Sequence, residues 1–449
     1  MVASHEWPQY LQLRSQFSTI ICFQFPKKAY NKAMTALDER RNQSKWVGIF
    51  DPTLYIPILD SLSLHLTVAD VLILCQVCKG FGSLKVYMLK KVSNINDRLK
   101  DFVNNPALLR SKLGQYGALI SGIFARSLFD LKPRRALCLD VFISDGADAE
   151  HLAEHLEDYE GYNMETEIVR VANANIQDYF AVLLTTTHPA IQTSKQVTYT
   201  SSGRIGFKLR VTRTSGAPIH HILTSSYTTA CVNVVTWNNA YSMFPLETLV
   251  KHRFYPLKSF DDGFGSRLKE LAHQGWTTRD IIWPDLENGG CSKVTRLRRV
   301  GDSSSLIIPL NTKAVIPPSI PDFVIEYAQF EVLKDDLLRP RRGPFGEPLN
   351  YTSPRGSFLR LHTKEMISPS VRHVYTTGSN SWSMYVTERL RRWAWLELFK
   401  MGIEGSHWLN STTFPLNSEV SNFGKPEAWD YADDQIPKWY LEWERQARQ

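Results

Sequence analysis

Residues 117–143 read GALISGIFARSLFDLKPRRALCLDVFI, and the fold turns on how they are read. Leu113 to Phe129 has helical spacing, interrupted by Gly117 and Gly122, and predicts one broken helix. Leu137 to Ile143 (LCLDVFI) is a short apolar run holding a single acid, the pattern of a buried strand. The alternation continues downstream. Asp148 to Tyr159 predicts a helix after an acidic turn, and Lys208 to Thr212 alternates like a strand. Ile219 to Tyr241 is helix-like, with a β-branched stretch from Val232 to Thr236. Over residues 104–300, strands separated by helices imply an α/β or α+β core.

Outward from this core the character changes on both sides. Residues 1–44 have no sustained period, and Lys27, Lys28, Arg40 and Arg41 give them a basic bias. They read as a partly ordered extension. Residues 45–103 read as helices. Ile58, Leu62 and Leu66 recur at spacing four, and Val71, Leu74, Val77 and Phe81 form a second stripe. Asp70 stands where a carboxylate suits the exposed N–H groups of a helix start. Residues 313–449 begin loop-rich, broken by Pro317, Pro318, Pro321, Pro340, Pro344, Pro348 and Pro354. They end in helices. Val386, Leu390, Trp393, Leu396 and Phe399 form one stripe, and Trp439 and Trp443 share a side of the last helix. This end of the chain is Trp-rich, which predicts core and docking surface.

Composition narrows the function classes without choosing one. The 449 residues are 43% hydrophobic and 22% charged, ordinary values for a chain that buries a core. The net charge of +7 is mild for this length. Basic residues cluster at Lys293, Arg296, Arg298 and Arg299, and at Arg339, Arg341 and Arg342 with Arg355 and Arg360 following. Salt-driven nucleic-acid binding needs a denser stripe, so nucleic acid is not an expected partner. Mean hydropathy is −0.25 and no apolar run is long enough to span a bilayer, so no membrane association is expected. The cysteines at 22, 75, 78, 138, 231 and 291 are scattered, which fits a reducing compartment, cytoplasmic or nuclear. Cys75 and Cys78 have zinc-pair spacing but no second pair, and they sit in an apolar helical pattern.

Residues 52–84 resemble an F-box, most closely over VADVLILCQVCKGF (68–81). The resemblance implies an apolar helical face that docks on a Skp-family adaptor of a cullin ubiquitin ligase. Leu62, Leu66, Val71, Leu74 and Val77 are the residues expected at that contact. The segment departs from the family where Asp51-Pro52 replaces the usual Leu-Pro opening and where Pro57 enters the first helix. Two amphipathic helices that pack only on the next domain are the other reading.

Residues 117–143 resemble the opening of the nucleotidyltransferase fold, in which a Gly-Ser pair precedes a strand carrying Asp-hydrophobic-Asp. Two carboxylates one residue apart point to the same side of a strand and, with a third from a neighbour, hold two Mg²⁺ for in-line attack on a phosphate. Here the Gly-Ser position reads Gly122-Ile123, and the acidic pair reads Cys138-Leu139-Asp140. Only Gly122 and Asp140 match. The neighbouring strand offers Lys208 and Arg210 and no acid. The order of segments also resembles uncharacterised fungal proteins that join an F-box-like start to a nucleotidyltransferase-like core, which implies an α+β fold with a degenerate, mixed-sheet nucleotidyltransferase-like domain over residues 104–312. The stretches that carry this are LGQYGALISGIFARSLF (113–129), LDVFI (139–143), TACVNVVTWNNAYSMFP (229–245) and WTTRDIIWP (276–284).

The expectation is therefore a non-enzymatic protein that needs no cofactor or metal, recruits an adaptor through its N-terminal helices and holds an unidentified protein partner. The alternative is a residual, Mg²⁺-dependent or nucleotide-binding protein centred on Asp140. Three lesser candidates are His151 with His155 at metal-chelating spacing, His220 and His221 ahead of Ser225 and Cys231, and the Asp261-Asp262-Gly263 turn. None carries a surrounding motif.

Overall fold

The computed structural model describes residues 61, 65, 66, 70, 71, 73, 74, 94–129, 136–171, 193–258, 262–273, 275–278, 297–335, 358–400 and 427–447. The chain divides into two units, Met1–Lys90 and Lys91–Gln449. In the first, Ser61, Asp70, Val71, Ile73 and Leu74 are helical. Leu66 and Val71 are buried and Leu74 is half-buried, whereas Leu62 and Val77 lie outside the described residues.

The second unit runs α1 (Ile95–Leu99), α2 (Pro106–Gln115), β1 (Leu119–Ser121), α3 (Gly122–Ser127), β2 (Cys138–Ser144), α4 (Ala147–Asp158), β3 (Asn163–Val171), β4 (Thr193–Thr200) and β5 (Lys208–Thr214). There follow α5 (Pro218–Ser225), β6 (Asn233–Val235), β7 (Asn239–Ser242), β8 (Arg253–Phe254), α6 (Asp262–His273) and β9 (Thr277–Thr278). The remainder is β10 (Leu297–Arg299), β11 (Leu306–Pro309), α7 (Phe323–Glu326), β12 (Gln329–Asp335), β13 (Phe358–His362), β14 (Lys364–Met366), β15 (Tyr375–Thr377), α8 (Asn380–Lys400) and α9 (Ile436–Ala447). The architecture is α+β around a mixed sheet.

Eight strands form the main sheet in the order β11-β7-β6-β1-β2-β5-β4-β3. Neighbours are antiparallel except β2 and β5, which run parallel. A parallel pair needs a crossover, and α4 and the antiparallel pair β3 and β4 lie between the two strands in sequence. On β2, Leu139, Val141 and Ile143 are fully buried. They alternate with Cys138, Asp140 and Phe142, so the single acid lies on the opposite face.

The predicted broken helix over Leu113 to Phe129 is corrected. It is α2, then strand β1, then α3, with Gly117 at φ +60° and Gly122 at φ +72° on either side of the strand. A right-handed helix cannot pass through such a backbone, and glycine adopts it without a Cβ penalty. Ile219 to Tyr241 likewise holds only a short helix, α5, before the chain turns into β6 and β7. Its β-branched stretch forms the strand.

The region after 312 is more regular than its prolines suggest. β12 pairs with β10 and β13 in a second sheet, and β14 pairs with β15. Phe330, Val332, Leu359 and Leu361 from the second sheet share one core with Leu119, Val234 and Tyr241 of the first and with Ile219, Ile222 and Leu223 of α5. A separate cluster joins α8 and α9 through Trp382, Val386, Leu390, Trp439 and Tyr440. The stripe from Val386 to Phe399 lies on α8, and Trp439 and Trp443 lie on α9.

Arg110 ties α2 to Asn96 and to the chain on either side of β7 and β11. It is fully buried on α2 and donates to the Trp237 carbonyl, to Asn96 Oδ1 at 2.9 Å and to the Asn311 carbonyl at 2.7 Å. Burial without a carboxylate among these acceptors lowers its pKa to about 10.

Candidate functional site

The site is built where β1 turns into α3 over the middle of β2. β1 and β2 are antiparallel, with Ser121 opposite Asp140. The chain then enters α3 at Gly122, which lies directly over the Asp140 side chain. A Cβ at residue 122 would overlap Asp140 Oδ2, so glycine is required twice here, for φ and for space. Gly122 and Asp140, matched at a distance in sequence, are thus in contact. Ser121, the serine that precedes the glycine, is buried and donates to the Asn233 carbonyl at 2.7 Å. Ile123, which follows the glycine, is exposed.

β5 lies beside β2 in parallel register, pairing Cys138 with Lys208 and Asp140 with Arg210. Here a two-metal site would need its third acid. Instead Arg210 reaches across, and both its Nε and its Nη2 contact Asp140 Oδ1. Burial works against the Arg210 charge, yet the Asp140 carboxylate outweighs it and raises the guanidinium pKa. The next strand adds no acid, since Thr198 of β4 pairs with Arg210 and Thr200 with Lys208. Lys208 turns outward to Glu165 at 2.8 Å.

Cys138 stands where the first acid of the pair would be, with its thiol 3.7 Å from Asp140 Oδ1. Burial and then the Asp140 charge push that thiol up to about 12. It is neutral near pH 7, and the thiolate is the nucleophilic and metal-ligating form. The donors here are one carboxylate engaged by a guanidinium and one protonated thiol. They do not fit a pair of Mg²⁺ ions, which need several free oxygens at short range. Among the described residues, no group of three or more His, Cys, Asp or Glu is placed to hold a metal.

The lesser candidates fall elsewhere. His151 and His155 both lie on α4, His155 buried and His151 exposed. The His155 ring lies tilted against Tyr159 with centroids 5.5 Å apart, and burial lowers its pKa. His220 is buried on α5, where burial and then His221 and His362 lower its pKa to about 4. Cys231 contacts Thr228 Oγ1 at 3.3 Å. Asp262 starts α6, and Asp261 lies outside the described residues. Of the first basic cluster, Arg298 is buried against Asp302 and Arg299 lies over the Tyr327 ring at 4.4 Å. Lys293 and Arg296 lie outside the described residues, as do Cys75, Cys78, Arg339, Arg341, Arg342 and Arg355.

Sequence reasoning noted that β5 brings a base and no acid. It missed that this base closes on Asp140, because the register between two strands 70 residues apart is not written in either one. No protein-family model, curated protein or solved structure matches the chain.

Proposed function

We propose that the chain is a non-enzymatic interaction protein whose central domain is a pseudo-nucleotidyltransferase. The observation that carries this reading is the Arg210–Asp140 pair. A guanidinium sits on the one acid that survives from the family's motif, so the site's cation is built into the chain. The neutral Cys138 thiol beside it supports the same conclusion. In this reading Leu62, Leu66, Val71, Leu74 and Val77 recruit a Skp-family adaptor, and the Lys91–Gln449 unit holds the partner to be presented.

The contact of Gly122 with Asp140 favours the ancestry, and so keeps a residual transferase as the competing reading. A single preparation separates the two. The purified chain is tested for capture of a Skp-family adaptor, beside a Leu66→Asp/Leu74→Asp variant, and for release of pyrophosphate from nucleoside triphosphates with Mg²⁺. Adaptor capture that the variant abolishes, with no pyrophosphate released, is the expected result. Mg²⁺-dependent turnover lost in Asp140→Asn overturns it in favour of the enzyme.

A further inference from the structure

An open groove of about 400 Å³ lies between α8 and α9. Tyr385, Trp393, Leu396 and Trp439 form its apolar surface, and Glu388, Arg389 and Arg392 lie along it. Its volume is in the range of ligand sites. Its make-up is that of a protein interface, because Trp, Tyr and Arg dominate binding hot spots. The walls are held in place before anything binds. Trp393 Nε1 donates to the Asp430 carbonyl at 3.1 Å, and the Arg389 guanidinium stacks on the Tyr385 ring at 4.5 Å. Fixing the rings in advance removes an ordering cost from association. The apolar face of α8 continues past Leu396 to the exposed Phe399, one turn further on.

The charges are unequal. Arg389 is matched by Glu442 at 3.0 Å. Among the described residues Glu388 serves two arginines, Arg391 at 3.5 Å and Arg392 at 3.0 Å. Counted over these described side chains, Arg389, Arg391 and Arg392 exceed Glu388 and Glu442 by one positive charge beside the groove, and the Arg392 side chain is 76% exposed. A planar guanidinium with free N–H groups is suited to a carboxylate, which it binds through paired hydrogen bonds.

We propose that this groove docks an acidic amphipathic helix of a partner protein. Apolar side chains at helical spacing fill the Trp393–Leu396–Trp439 surface, and a flanking carboxylate meets Arg392. The inference rests on the interaction-protein reading and names the chemistry of the partner. A concave aromatic surface receives side chains one at a time, whereas a bilayer takes up a continuous convex face.

The test uses the full chain and a labelled synthetic peptide of about 18 residues, with Leu at i, i+3, i+4 and i+7 and Glu on the remaining face. Its controls are the same peptide with Lys for Glu, and phosphatidylserine vesicles. The acidic peptide is expected to bind at least about tenfold more tightly than the basic one. Arg392→Glu, a change at an exposed position, reverses that order. Leu396→Ser weakens both peptides while the circular dichroism spectrum is kept. Equal binding of the two peptides, no binding of the acidic one, or binding to vesicles alone overturns the proposal. So does a dimer that Leu396→Ser dissociates, since the groove would then belong to a second copy. The Leu66→Asp/Leu74→Asp variant binds the acidic peptide as the unaltered chain does, so failure of adaptor capture and failure of the groove are read separately.

Discussion

Two arginines in the Lys91–Gln449 unit each engage an aspartate, and the pairs are built to different ends. Arg298 and Asp302 are four residues apart, beside one tight turn, and the arginine is 6% exposed. Its remaining contacts are filled from within. Nη2 donates to the Met243 carbonyl at 2.9 Å and to Ser305 Oγ at 3.1 Å, and the guanidinium lies over the Phe244 and Phe330 rings. Asp302 also accepts from the Ser304 N–H at 2.9 Å. Arg210 and Asp140 lie 70 residues apart, and their arginine is 39% exposed. The first pair is a strut in which every charge is answered by protein. The second is a plug, with the acid buried and the base half in water. A fully enclosed pair is costly to break because its survivor is stranded. A plug can be withdrawn with the fold intact, and that is what a disused site would look like.

The largest expected effect comes from breaking the strut. Arg298→Met keeps the volume, but it leaves Asp302 in a half-closed turn without its cation. A loss of about 3–5 kcal/mol is expected, read as a lower urea midpoint with unchanged slope. A second break uses pH. Burial and the neighbouring His221 and His362 depress the His220 pKa to about 4, against 6.5 for the exposed group. A depressed pKa means that the unfolded chain takes up the proton first. The stability from a neutral His220 is therefore complete above pH 6.5 and is lost as pH falls from 6.5 towards 4, by about 3 kcal/mol in all. Burial also opposes ionisation of Asp302, but Arg298 outweighs it and holds the carboxyl below its ordinary range. The strut therefore stays intact across that window. Urea unfolding at several pH values reports the difference, and in His220→Phe the slope between pH 6.5 and 4 should flatten.

What could be read in the sequence follows from the range of the interactions. β5, α4, α8 and α9 were legible because alternation or helical spacing is written into each segment, and β2 because it is a short apolar run. β1 was not, for three residues between two glycines carry no period, and tertiary pairing with β2 and β6 makes them a strand. β12 and β13 were hidden behind the proline count, although Phe330, Val332, Leu359 and Leu361 alternate as strands should. At the candidate site, Gly122 and Asp140 could be named from spacing and resemblance. The contact between them and the cross-strand partner of Asp140 are properties of register. The α8–α9 groove left only an excess of tryptophan as its trace. Nothing in either helix alone says that Trp393 and Trp439 share a wall.

The smallest effect on stability, and the sharpest on chemistry, is expected from drawing the plug. Arg210 is partly solvated but the Asp140 side chain is only 8% exposed, so Arg210→Met should cost about 2 kcal/mol, with water entering in place of the guanidinium to meet the stranded carboxylate. The same change frees Asp140, but one carboxylate is still a poor site for a hard dication. The β2–β5 register shows what else is needed. Cys138 and Asp140 point to one side of β2, and residue 210 lies across from Asp140. Cys138→Asp with Arg210→Asp would gather three carboxylates on that face, where their mutual repulsion is relieved by a divalent cation. Calorimetric titration of Mn²⁺ or Mg²⁺ should give no heat of binding for the unaltered chain, weak binding for Cys138→Asp, and clear binding for the double variant. The double variant should also melt higher when metal is added, because a ligand that binds only the folded state stabilises it. Equal and negligible binding in all three would mean that the face around Gly122 and Asp140 never had the shape of a metal site. The Arg210–Asp140 pair would then be a second strut, half exposed by accident of position, and the contrast with Arg298 would be one of burial alone.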